Sequence, residues 1–190
     1  MISLNLGWLP MNKQMIVLIA IGILIILMLF FNKKVNLSRL LFRQIQVFKN
    51  DHTNKYSIWD IMCFLIFPIG ISALIVFGLS YQVDVKLAEV LTTVFSLVFT
   101  ILFGFAAVIV EKSEDGNSKK KRVVGETFIS IVTSTALSLF AAIISILLIK
   151  IKNDLAISIL SVVLLSISIS IIMLLLMITK RTFVIYCEGE

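Results

Sequence analysis

The long apolar runs of this 190-residue chain hold no Asp, Glu, Lys, Arg or His in their middle thirds. Ionisable groups inside a membrane mark proton relays, ion-coupled transport and voltage sensing. Their absence argues against all three. Histidine is scarce: His52 is the only one. A single loop histidine cannot build a His-rich metal site or a Ser-His-Asp triad. The two cysteines, Cys63 and Cys187, both fall away from the oxidising side in the topology argued below, so no disulfide is expected. No internal repeat and no inverted symmetry of the transporter kind is visible. No catalytic, cofactor-binding or metal-ligating residue is expected: the sequence reads as a non-enzyme without a cofactor.

What the chain has is apolar bulk. Its hydrophobic fraction is 59% and its mean hydropathy +1.09, where soluble domains run at roughly 45–50% apolar. A soluble chain of this length could not hide that surface, so a bilayer must solvate much of it. A spanning helix needs about 20 mainly apolar residues. Five segments qualify: Met15–Phe31, Ile58–Ser80, Val90–Val110, Phe128–Ile149 and Leu155–Ile178. The first is short, about 26 Å of helix. A cleaved signal peptide is the other reading of it, but Asn32-Lys33-Lys34 follows where small residues should sit. An uncleaved anchor fits better. The expected fold is an all-α polytopic transmembrane bundle with five spans, or four if the first run does not span. One amphipathic cytoplasmic helix accompanies it. The chain is read as an N-terminal segment with the first span (1–31), a cytoplasmic helix and linker (32–57), a four-helix core (58–178) with an inner loop (111–125), and a cytoplasmic tail (179–190).

Charge orients the chain. Of the 17 lysines and arginines, only Lys13, Lys86, Lys150 and Lys152 fall on one side. The others lie in loops 32–57 and 111–125 or in the tail. Positive residues mark the cytoplasmic side, so five spans put the N-terminus out and the C-terminus in.

In the first inner loop Leu37, Leu40, Leu41, Ile45 and Phe48 share one face of a helix, with Arg39, Arg43 and Gln46 opposite. Such a helix can lie on the inner leaflet, arginines towards anionic headgroups, or pack on the bundle or a neighbouring subunit. Asn50–Asn54 is a polar turn. Ser57-Ile58-Trp59-Asp60 reads as a capping box opening the second span. Pro68 should kink that span. Gly116-Asn117 marks a turn in the second inner loop, and Lys119, Lys120, Lys121 and Arg122 form a solvated basic run. The basic loops are candidate contacts with the membrane surface or a partner. Positive-inside bias already explains their charge, so no direct nucleic-acid contact is expected.

Two spans carry stripes of small residues. Ser96, Thr100, Gly104, Ala107 and Glu111 recur at steps of four, four, three and four, and Ser130, Ser134, Ser138, Ala141 and Ser145 show comparable spacing. Small residues let helices approach closely in lipid, and hydroxyls bond across or back to their own backbone. The stripes therefore serve either packing within a subunit or a polar seam along a pore or oligomer axis.

Ser57-Ile58-Trp59-Asp60-Ile61, then Phe67-Pro68-Ile69, a short outer loop and the charged Glu111–Arg122 loop follow in order. Over 55–181 this resembles the KwaA-like membrane subunits of the bacterial Kiwa anti-phage defence system. That family is usually described with four spans, one fewer than counted here. The resemblance implies an oligomeric sensor in the bacterial inner membrane, with a cytosolic partner that acts on phage DNA; it carries over no functional residue. Three functions are then in view: a sensor or scaffold subunit that homo-oligomerises and engages a cytosolic protein, a pore-forming effector that depolarises the membrane, and a small transporter subunit.

Overall fold

The computed structural model describes residues 37–47, 58–111, 118–151 and 153–187. The predicted span Met15–Phe31, the Asn50–Asn54 turn, the capping Ser57 and the Gly116-Asn117 turn lie outside them. The chain divides into two units, Met1–Arg39 and Leu40–Glu190, and the bundle belongs to the second.

Among the described residues every element is helical. Helix α1 is Leu37–Val47. Helix α2 covers 58–78 in four consecutive stretches: Ile58–Ile61, a π-helical Met62–Ile66, Phe67–Ala73 and a second π-helical stretch, Leu74–Gly78. Helices α3, α4 and α5 are Val85–Glu111, Ser118–Lys150 and Asp154–Cys187. Among the described residues, four segments are long and apolar enough to cross a membrane: Trp59–Gly78, Val85–Val110, Lys121–Lys150 and Asp154–Phe183.

The helix ends have local causes. Asp84 caps α3, its Oδ1 accepting from Leu87 N–H at 2.9 Å. Asn153 caps α5 in the same way, accepting from Leu155 N–H at 3.0 Å. Helix α2 stops where Ser80 takes a positive φ of 51°, and Tyr81 N–H turns back to the Ile75 carbonyl at 3.3 Å. Two helices run past the limits expected from hydropathy. The Lys119–Arg122 run is the first turn of α4, not a loop, and 179–187 continues α5, not a separate tail. Lysine and arginine are good helix formers, so hydropathy ends at the membrane boundary while backbone hydrogen bonding continues.

Packing follows a seven-residue repeat. On α4, Val124, Ile131, Ser138 and Ser145 are buried, and so are Thr127, Ser134, Ala141 and Leu148 between them. On α3 the buried row is Ala88, Phe95, Leu102 and Ile109. This is the period of left-handed helix pairs. Helix α3 packs on α4, α4 on α5, and the middle of α2 on α5. One core cluster joins Ala88 and Phe95 to Ala141, Leu148, Leu164 and Ile171; another joins Leu102 and Ile109 to Val124, Ile131 and Ile178. Lipid tails are as apolar as these side chains, so close fit rather than escape from water must hold the bundle.

Pro68 sits fully buried inside α2. With no N–H, it cannot donate to the Phe64 carbonyl four residues back. The chain widens there: Phe67 N–H reaches Met62 O, a five-residue step. Ser170 of α5 donates its hydroxyl to Phe64 O at 3.1 Å. Ser72 returns a bond to Pro68 O at 2.7 Å. The expected Pro68 kink is thus expressed as a change of hydrogen-bond register, met by a neighbouring helix.

Candidate functional site

The two small-residue stripes have different fates. On α4, Ser130, Ser134, Ser138, Ala141 and Ser145 are all 0% exposed. Most of the hydroxyls donate to their own backbone: Ser130 to Glu126 O at 3.0 Å, Ser138 to Thr135 O at 2.8 Å and Ser145 to Ala141 O at 3.0 Å. Ser134 Oγ is buried without a hydrogen-bond partner. Within one subunit this stripe is a packing face with no room for a water path.

On α3, Ser96, Thr100, Gly104 and Ala107 all lie on the outside of the subunit. Ser96 and Thr100 also bond to their own backbone, at 2.8 and 2.9 Å. A Cβ added at Gly104 would meet nothing within 4 Å. Helix α3 therefore carries a packing repeat on each of two faces, one occupied by α4 and one open.

A charged cluster closes one end of the bundle. Arg122 Nε donates to Glu126 Oε1 at 3.0 Å within α4. Arg181 of α5 forms an ion pair with Glu126 Oε2 at 3.2 Å, without hydrogen-bond geometry at that nitrogen. Asp60 of α2 adds a negative charge that acts on Arg181. Glu126, unremarked in the sequence, is the centre of this cluster, and Arg122 pairs within the chain instead of standing free for a partner. Lys121, Arg39 and Arg43 are exposed.

Helices α1, α2, α4 and α5 border a cavity of about 510 Å³. Its walls are mostly Leu, Ile, Val and Phe. Four polar side chains interrupt them: Gln44, Thr133, Ser166 and Ser170. Gln44 is 5% exposed, and neither Nε2 nor Oε1 has a partner. The helical pattern of α1 predicts Leu40, Leu41 and Ile45 inside, and they are half-buried. It does not predict Gln44, which is buried, as is Val47. Arg39, Arg43 and Gln46 are on the exposed side as expected. Among the described residues no group of three or more His, Cys, Asp or Glu could hold a metal ion.

Among the described residues, four helices long and apolar enough to cross a membrane define a multi-pass helical membrane protein. The chain matches no protein-family model, and no curated protein or solved structure matches it.

Proposed function

We propose that this chain is a non-catalytic subunit of a bacterial anti-phage defence system. It is an inner-membrane scaffold or sensor that self-associates through α3 and engages a cytosolic protein through the basic segments around α1 and the start of α4. The observation that carries self-association is the open stripe Ser96, Thr100, Gly104 and Ala107, which repeats the spacing of the stripe already packed inside the subunit. Close approach of small residues is what such a stripe offers another helix in lipid. The defence setting rests on the resemblance over 55–181.

Oxidative cross-linking in native membranes tests the interface, with Cys63→Ala and Cys187→Ala as background. Gly104→Cys should give disulfide-linked dimers, and Ser134→Cys, inside the subunit, should not. Gly104→Leu should then yield monomers and remove phage protection in the native host. Dimers from neither cysteine would reject the α3 interface. Unchanged plaque counts with a dissociated Gly104→Leu protein would reject its role in defence.

Ser96 and Thr100 also keep the pore-forming effector in view, because an axis built on α3 would be lined by hydroxyls. Conductance of the purified oligomer in planar bilayers separates the two readings: a silent oligomer removes the pore.

A further inference from the structure

We infer that the first half of α2, residues 58–66, is a hinged lid that swings about Pro68 into the cavity between α1, α2, α4 and α5. The device is independent of the α3 interface and of any cytosolic partner.

Packing changes at Pro68. Beyond it, Pro68, Ser72 and Val76 are buried at steps of four, which places them on one helix face, and the Phe67–Ala73 stretch packs on α5. Before it, Met62–Ile66 has no buried residue. Trp59 is 66% exposed, and Asp60 and Ile61 are half-buried. Segments with few buried contacts open at the lowest cost.

The backbone is also weakest at this junction. Pro68 offers no N–H to Phe64 O. The preceding Met62–Ile66 is π-helical, a form that is rare and recurs at functional sites. The tie from α5 is a single side-chain bond, Ser170 to Phe64 O at 3.1 Å. Ser170 can release it cheaply, because a serine hydroxyl can turn to the carbonyl four residues back. Ser166 and Ser168 on the same helix already do so, at 2.7 Å each. Thr133, on the α4 wall of the same cavity, is a hydroxyl that can take up Phe64 O after the swing.

The cavity supplies the room. Phe64, Leu65 and Ile69 form its α2 wall, Thr133 and Leu137 its α4 wall, and it measures about 510 Å³. The lid is four plus five residues long, about 14 Å of rise. A change of about 20° in the bend at Pro68 carries Trp59 roughly 5 Å towards α4. Hinges of this kind absorb a rotation in a few residues while the rest stays packed. The same swing moves Asp60, whose charge acts on Arg181, so the lid links the cavity to the charged cluster at that end of the bundle.

The test is pulsed electron–electron double resonance between nitroxide labels on the full-length protein in lipid nanodiscs, diluted with unlabelled protein. Cys63→Ala and Cys187→Ala are the background. The lid pair is Trp59→Cys with Lys121→Cys, and the control pair is Phe77→Cys with Ile146→Cys, all at exposed positions. Trp59→Cys also removes an edge contact with Phe67, equally in every variant. The labelled parent should give two lid-pair distances about 5 Å apart and one control distance. Ser170→Ala should raise the share of the shorter distance several-fold. Pro68→Ala, which restores the N–H, and Ser166→Phe, which fills the cavity, should each leave only the longer one. The control pair should keep its single distance throughout. One lid-pair distance, unchanged between the parent and Ser170→Ala, would overturn the lid. So would lid and control pairs broadening together, the mark of a loosened bundle. A shorter distance that persists in Ser166→Phe would overturn the swing into the cavity.

Discussion

At the scale of single residues, the membrane makes every backbone polar group a debt that a neighbour settles. Pro68 leaves Phe64 O without its usual donor, and Ser170 supplies one from another helix. Ser170→Ala should destabilise the bundle by about 0.5–1.5 kcal/mol, as interhelical hydrogen bonds in lipid do. The loss should shrink in a Pro68→Ala background, where residue 68 regains an N–H. A double-mutant cycle on unfolding in micelles measures the coupling, and additivity of the two substitutions would refute the link. Ser134 is the opposite case. Its hydroxyl is buried and unpartnered, so Ser134→Ala should leave thermal stability unchanged or raised by up to about 1 kcal/mol. Ser134→Leu should cost about 1–3 kcal/mol by overpacking. Both substitutions read the subunit's core and not its assembly. None of this pairing is visible in the sequence. Pro68 can be singled out from its residue type, but its partner lies 102 residues further along the chain. Gln44 escapes for a similar reason. A polar residue at a helix position between two apolar flanks reads as surface until the neighbouring helices are in place.

At the scale of elements, hydropathy locates the described spans and misplaces their ends. The cores of α2 to α5 coincide with the last four of the five predicted runs, because the hydrocarbon slab sets the length of an apolar run. The polar ends of α4 and α5 are helical for another reason, backbone propensity, and there the two helices meet across Glu126. Glu126→Gln should destabilise the bundle by about 1 kcal/mol, since it leaves the half-buried Arg181 without its ion-pair partner. Arg122→Ala, at an exposed i,i+4 pair, should cost under about 0.5 kcal/mol. Thermal melts in detergent at low and high salt check both. Equal losses would mean that the α4–α5 contact through Arg181 contributes nothing. The small-residue stripes were legible as stripes on α3 and α4 alike. Which of them faces inward was not, since each helix carries the same spacing and only the neighbours decide.

At the scale of the whole molecule, orientation is a property that the bundle leaves free and that the proposal takes from the lysines and arginines. The proposed topology, drawn from positive-inside bias, has Lys150 outside and Lys180 inside. In intact cells lacking other accessible thiols, a membrane-impermeant maleimide should label Lys150→Cys, and label Lys180→Cys only after permeabilisation. The reverse pattern would invert the topology and, with it, the side on which a partner can dock. Partner identity comes from purifying a C-terminally tagged form in mild detergent. A stoichiometric soluble protein supports the scaffold, and a homo-oligomer alone moves weight to the pore.

The four spans are unequal. The α2 span has 20 residues and the α3 span 26, about 30 and 39 Å of rise. Standing upright, α3 carries its first turns, with Lys86 and Glu89, past the slab that α2 fills. Tilt of the bundle, at a modest cost per ångström, moves those charges towards or away from the hydrocarbon. A membrane whose thickness changes therefore shifts the favoured tilt of this subunit with no ligand involved.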